Sequence, residues 1–245
     1  MTPWPYPRWI AHRGGGTLAP ENTLAAFKVG AAHGYRMFEC DVKLSADGVP
    51  FLLHDDTLNR TTNGQGTASA QTWAALSALD AGGWHSPAFA GEKVPCLEAI
   101  ADYCLANGLL LNIEIKPAPG AQAVTGTVLA NAVAAWWKDA AVPPLLTSFH
   151  PLALAAAQRA QPQLPRGLLL DTWLANSVRA AQALACTAMV CRHTLWSAAR
   201  VAQARSAGLK TLSYTVNDLA SVQRLGALGT DGIITDQIGS FPPRS

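Results

Sequence analysis

The chain has no excess of charge of either sign, no long apolar run and no paired cysteines, and each absence removes a class of protein. Its 18 basic and 16 acidic residues leave a formal charge of +2. That is too little for the broad cationic surface that nucleic acid requires, so any anion must be met by a few local groups. No apolar stretch approaches the ~20 residues of a membrane-crossing helix, which excludes stable membrane insertion. The opening segment, with Pro3, Pro5 and Pro7, carries neither a basic nor an apolar leader region, and the expectation is a cytoplasmic protein. The five cysteines, Cys40, Cys96, Cys104, Cys186 and Cys191, form no C-x-x-C pair. An odd number in a chain of this length reads as reduced thiols in a core, not as a disulfide framework. Also missing are a phosphate loop of the G-x-x-x-x-G-K-[ST] type, a G-x-S-x-G elbow and an H-E-x-x-H pair, which removes common nucleotide-binding, serine hydrolase and zinc protease signals. Gly14, Gly15 and Gly16 therefore read as backbone turns. The sequence sets no oligomeric state.

What is present is a repeating pattern. Short runs rich in Leu, Ile and Val, at residues 9–13, 37–43, 109–115, 145–149, 167–170, 188–191, 210–215 and 232–235, alternate with Ala-rich segments of helical period. Eight such repeats in 245 residues are what an α/β protein of the closed (β/α)8 TIM-barrel type requires, and an open doubly wound sheet is the alternative that periodicity leaves. A single catalytic domain over residues 1–245 is expected, interrupted at about 57–93 by a Thr-, Gly- and Trp-rich insertion. That insertion should hold a short helix near 71–79 and stand above the mouth of the barrel as a lid or wall. Asp47-Gly48 marks a two-residue hairpin, which folds 49–53 back on the second strand and pairs Asp41 with His54.

Acidic residues interrupt two of the apolar runs. Residues two apart in a strand share a face, so Glu39 and Asp41 are neighbours, as are Glu114 and Lys116. Like charges placed together in apolar surroundings repel unless a cation stands between them. The oxygen donors Glu39, Asp41 and Glu114 point to Mg²⁺ or Ca²⁺ as that cation, although Glu114 has Lys116 as another partner. His12 and Arg13 end the first strand, where a barrel keeps its working groups, and can transfer a proton and grip a phosphate. His54, returned to the acids by the hairpin, suits a general acid. His33, His85, His150 and His193 have no comparable context. Tyr214, at a strand end, can wall a substrate pocket, while Trp84, Phe89, Trp173 and Trp196 read as packing.

In order along the chain stand His12-Arg13-Gly14, Pro20-Glu21-Asn22-Thr23, Glu39-x-Asp41, His54-Asp55, Arg60-Thr61-Thr62-Asn63-Gly64, Glu114-Ile115-Lys116, Ser148-Phe149 and Asp231-Gly232-Ile233-Ile234-Thr235-Asp236. This ordered set resembles the glycerophosphodiester phosphodiesterases. The resemblance implies a TIM-barrel hydrolase that splits small glycerophosphodiesters into sn-glycerol 3-phosphate and an alcohol. It further implies that Glu39, Asp41 and Glu114 hold a divalent cation, that His12 and His54 act as base and acid, and that Arg13 and Lys116 bind phosphate. Tyr214 stands where the family usually has tryptophan, which bears on the shape of the pocket. Two other readings are a lysophospholipase D, with an apolar groove built by Trp73, Trp84 and Phe89, and a barrel that binds phosphodiesters without hydrolysing them.

Overall fold

The computed structural model describes residues 4–241 and residue 243. The start of the proline-bearing opening segment, residues 1–3, lies outside them. Nine strands form one sheet: β1 (Trp9–Ala11), β2 (Met37–Leu44), β3 (Pro50–Leu52), β4 (Leu110–Ile115), β5 (Leu145–Ser148), β6 (Arg166–Leu170), β7 (Ala188–Arg192), β8 (Lys210–Tyr214) and β9 (Gly232–Thr235). All but β3 run parallel, and the order β1-β9-β8-β7-β6-β5-β4-β2 closes when β1 meets β2. The closure rests on one residue pair, Ala11 with Phe38. This is the eight-stranded (β/α)8 barrel expected from the sequence.

Helices α1 (Leu24–Ala32), α3 (Leu97–Ala106), α4 (Gln122–Trp136), α5 (Pro151–Ala160), α6 (Ser177–Ala183), α7 (Ala198–Ser206) and α8 (Leu219–Leu228) follow the strands, and α2 (Trp73–Ala78) lies in the insertion. Their ends follow from local chemistry. Thr23, Ser197 and Asp218 accept from backbone N–H groups of the first turns of α1, α7 and α8, satisfying donors that the helix leaves free.

Alternation along the strands positions the site. Ile10, Met37, Leu145, Leu212 and Ile234 belong to one buried cluster filling the barrel interior. Each stands two residues before a polar or aromatic group on the same face: His12, Glu39, Thr147, Tyr214 and Asp236. The lower layer of the barrel is thus packed and apolar, and the next layer, at the C-terminal strand ends, carries the polar and aromatic groups.

The hairpin differs from expectation by one residue. Val42 pairs with Leu52, Lys43 with Phe51 and Leu44 with Pro50. Ser45 N–H donates to Val49 O and Gly48 N–H to Ser45 O, both at 3.0 Å, with Gly48 at φ +83°. A glycine in this left-handed conformation adds a bulge residue to the turn, which shifts the pairing. Asp41 O accordingly accepts from Leu53 N–H at 3.1 Å, and His54 follows immediately, one position beyond the predicted pairing. Between β3 and α3 the insertion packs on its own core of Phe51, Leu53, Leu58, Leu76 and Val94, joined by Trp73.

Candidate active site

The three carboxylates come together. β2 and β4 pair in register, Glu39 with Asn112 and Asp41 with Glu114, and one oxygen from each of Glu39, Asp41 and Glu114 lies within 4.8 Å of the others. They line a cavity of about 180 Å³ shared with His12, Arg13, His54, Lys116, Phe149 and Tyr214. Every site residue expected from the sequence therefore borders one space.

The loop after β1 is shaped to serve it. Arg13 takes a left-handed φ of +50°, a costly conformation for a residue with a side chain. In that posture its N–H donates to Glu39 Oε2 at 3.0 Å, while its guanidinium donates to Glu21 Oε1 at 2.8 Å. Its Nε lies 3.4 Å from Asp41 Oδ2 but makes no hydrogen bond and is buried. Asn22, also left-handed at φ +58°, clasps Asp41 twice: Nδ2 donates to Oδ2 at 2.8 Å and Oδ1 accepts the Asp41 N–H at 3.0 Å. Gly16 cannot carry a side chain here, since a Cβ would lie 2.1 Å from the carbonyl oxygen of Asp236.

Both histidines are held through Nδ1. His12 Nδ1 is 2.5 Å from Asp236 Oδ1, and Asn217 Nδ2 donates to the other Asp236 oxygen at 2.8 Å. His54 Nδ1 is 2.7 Å from Asp55 Oδ1. Asp55 is gripped by Arg60, whose far side holds Glu21, and Glu21 returns to Arg13. One chain of charges thus ties the insertion to the loop after β1, although the cavity lining includes none of residues 57–93. With Nδ1 occupied, Nε2 of each ring remains for proton transfer.

The electrostatics are those of an anionic nest without enough compensation. Burial, and then the charge of Asp41, pushes Glu39 up to about 7 and Glu114 up to about 8. Burial works in the same direction on Asp41, but Lys116, 3.4 Å away, and Arg13 outweigh it and bring Asp41 down to about 2. Lys116 is equally close to Glu114, so it pairs with both acids. Burial disfavours the His12 imidazolium, yet the bond to Asp236 and the charge of Glu39 prevail and its pKa rises. Burial dominates at His54, whose pKa falls despite Asp41.

Three clustered oxygen donors, two of them with pKa values raised by burial and by the third acid, are the donor set a hard divalent cation fits. The sign of the pH dependence follows. Between the ordinary value of 4.5 and about 8 the folded protein holds protons that the unfolded chain has lost, so without a cation stability falls as pH rises through that window. Mg²⁺ should therefore raise Tm more at about pH 8.5 than at about pH 5.5, because protons no longer compete with it. Equal gains in a thermal scan at both pH values would contradict a carboxylate site.

Comparison with known proteins settles the family. The profile of the glycerophosphoryl diester phosphodiesterase family matches residues 12–240. The chain belongs to that family. A glycerophosphodiester phosphodiesterase of Caldanaerobacter subterraneus subsp. tengcongensis is 32% identical over 231 residues, 93% of each chain. Among solved structures, an Oleispira antarctica phosphodiesterase in complex with the product sn-glycerol-3-phosphate superimposes with a TM-score of 0.87 at 32% identity, covering 96% of both chains. The glycerophosphodiester phosphodiesterase of Agrobacterium tumefaciens gives 0.78 at 28% identity, covering 95% of this chain and 97% of that one. The chain is thus a phosphodiesterase-family hydrolase with an acidic cluster that could hold a metal. No helix among the described residues is long and apolar enough to cross a membrane.

The sequence alone gives no role in the site to Asp236, Asp55, Glu21, Arg60 or Asn22. All five sit inside the motifs quoted above. The one local signal was a polar residue flanking a strand end, which does not say what it will touch.

Proposed function

We propose that this protein hydrolyses glycerophosphodiesters to sn-glycerol 3-phosphate and an alcohol. The observation that carries the reading is the single cavity on which three carboxylates, two histidines anchored through Nδ1, Arg13 and Lys116 converge. The product held by the Oleispira relative supports it.

A phosphodiester is an anion and repels nucleophiles, so charge must be neutralised before attack. Arg13 supplies a half-buried guanidinium whose buried Nε has no hydrogen-bond partner, a donor ready for a phosphoryl oxygen. Lys116 adds a second positive charge. A divalent cation, Mg²⁺ or Ca²⁺, held by Glu39, Asp41 and Glu114 would supply Lewis-acid polarisation of the phosphate. His12, made more basic by Asp236, takes the proton of the attacking oxygen, from water or from the glycerol 2-hydroxyl. His54, whose lowered pKa makes its imidazolium the stronger acid, protonates the departing alkoxide. Tyr214 walls the pocket, its hydroxyl donating to Leu170 O at 3.0 Å and its ring edge-on to Phe149. The substrate in this reading is a small soluble diester met in the cytoplasm, where all five cysteines stay reduced, as their unpaired state suits.

The test is direct. Purified protein with Mg²⁺ or Ca²⁺ should release sn-glycerol 3-phosphate from glycerophosphocholine, and absence of that product from every glycerophosphodiester tried would overturn the proposal.

A further inference from the structure

Asn112 stands between two of the cavity's acids, in register with Glu39 across the β2–β4 pair and two residues before Glu114 on β4. It is 1% exposed and lines the cavity. Its Oδ1 accepts from the Thr147 hydroxyl at 2.8 Å, while its Nδ2 is buried and has no hydrogen-bond partner. A buried donor without a partner is costly, and the side chain that carries this one lines the cavity.

The surroundings say what it meets. Beneath Asn112 and Thr147 the barrel is closed by Met37, Leu145 and Leu212, and beside them Phe149 and Tyr214 form an aromatic wall. A polar floor inside an apolar wall, in about 180 Å³, suits a short polyol. We propose that the Asn112 carboxamide is a specificity-determining donor to a hydroxyl oxygen of the glycerol arm. The site then takes diesters whose glycerol is unacylated and leaves the alcohol arm at the open mouth. This rests on the function proposed above and adds which half of the diester is read, and by what.

The experiment uses Asn112→Leu, which keeps the volume and removes the donor, on Mg²⁺-loaded protein. The Kd of sn-glycerol 3-phosphate and the KM of glycerophosphocholine should each rise about 10–100-fold, the range expected when a site loses its partner for a substrate hydroxyl. The Kd of methyl phosphate, which has no hydroxyl arm, should change by less than about 3-fold, and the Mg²⁺ concentration for half-activation should stay put. Thr147→Val, which keeps the amide but frees it to turn, should show the same selectivity with a smaller loss and guards against a misfolded first variant. Equal weakening of both ligands, or a shifted Mg²⁺ requirement, would make Asn112 a support for the carboxylates and overturn the assignment. So would wild-type turnover of lysophosphatidylcholine at a rate like that of glycerophosphocholine. A wild-type protein that binds both phosphates but cleaves no glycerophosphodiester would sink the function itself, a distinct result.

Discussion

Replacing His12 with alanine should lower kcat for glycerophosphocholine by about 10²–10⁴-fold, the usual worth of a positioned proton-transfer group, and His54→Ala should do the same. The two rings approach the cavity from different elements, His12 from the end of β1 and His54 from the segment after β3. Each is fixed by its own carboxylate, Asp236 or Asp55. Neither is part of the packed barrel interior, so the variants should keep the circular dichroism and thermal transition of the parent. The losses should not add in the double variant, because a site with one proton carrier missing has already lost the concerted transfer. Asp236→Asn keeps the shape around His12 while removing the charge that sets its tautomer, and it should fall between wild type and His12→Ala. Near-normal turnover in both alanine variants would show that the histidines do not move the protons.

Chelation should have the second large effect. Dialysis against EDTA should abolish measurable turnover, and added Mg²⁺ or Ca²⁺ should restore it. Glu114→Ala should demand far more cation for half-maximal rate, since it removes one of the three clustered carboxylates. Removing Asp41 should cost more than metal affinity. Its carboxylate also holds Asn22, stands 3.4 Å from Lys116 and lies beside Arg13, so Asn22 would lose its partner while two cations lost a neighbouring negative charge. A rate indifferent to EDTA would leave the acidic cluster without the chemistry assigned to it.

The barrel was legible because its period is coarse. Eight apolar runs separated by amphipathic helices survive errors of a residue or two at each end. Glu39, Asp41 and Glu114 were legible for a different reason: charge inside a strand needs explanation, and strand periodicity alone states which acids are neighbours. The hairpin register was not, because a two-residue turn and a bulged turn at Asp47-Gly48 look alike until the φ of Gly48 is known. The support of His12 was hidden for a topological reason. Asp236 and His12 stand 224 residues apart and meet only because β9 closes against β1. Asn112 carried the same signal as the acids, a polar residue inside an apolar strand, but an uncharged amide draws less notice.

The narrow join of the barrel acquires meaning from where it lies. β1 and β2 share a single backbone pair, and just above it the Arg13 N–H reaches Glu39 while His12 sits 3.7 Å from the same carboxylate. These residues thus act as the buckle of the seam, finishing by side chain a junction the backbone leaves unstitched. Glu39 belongs to the seam and to the acidic nest alike, so a cation that engaged it would act on the join of the barrel as well.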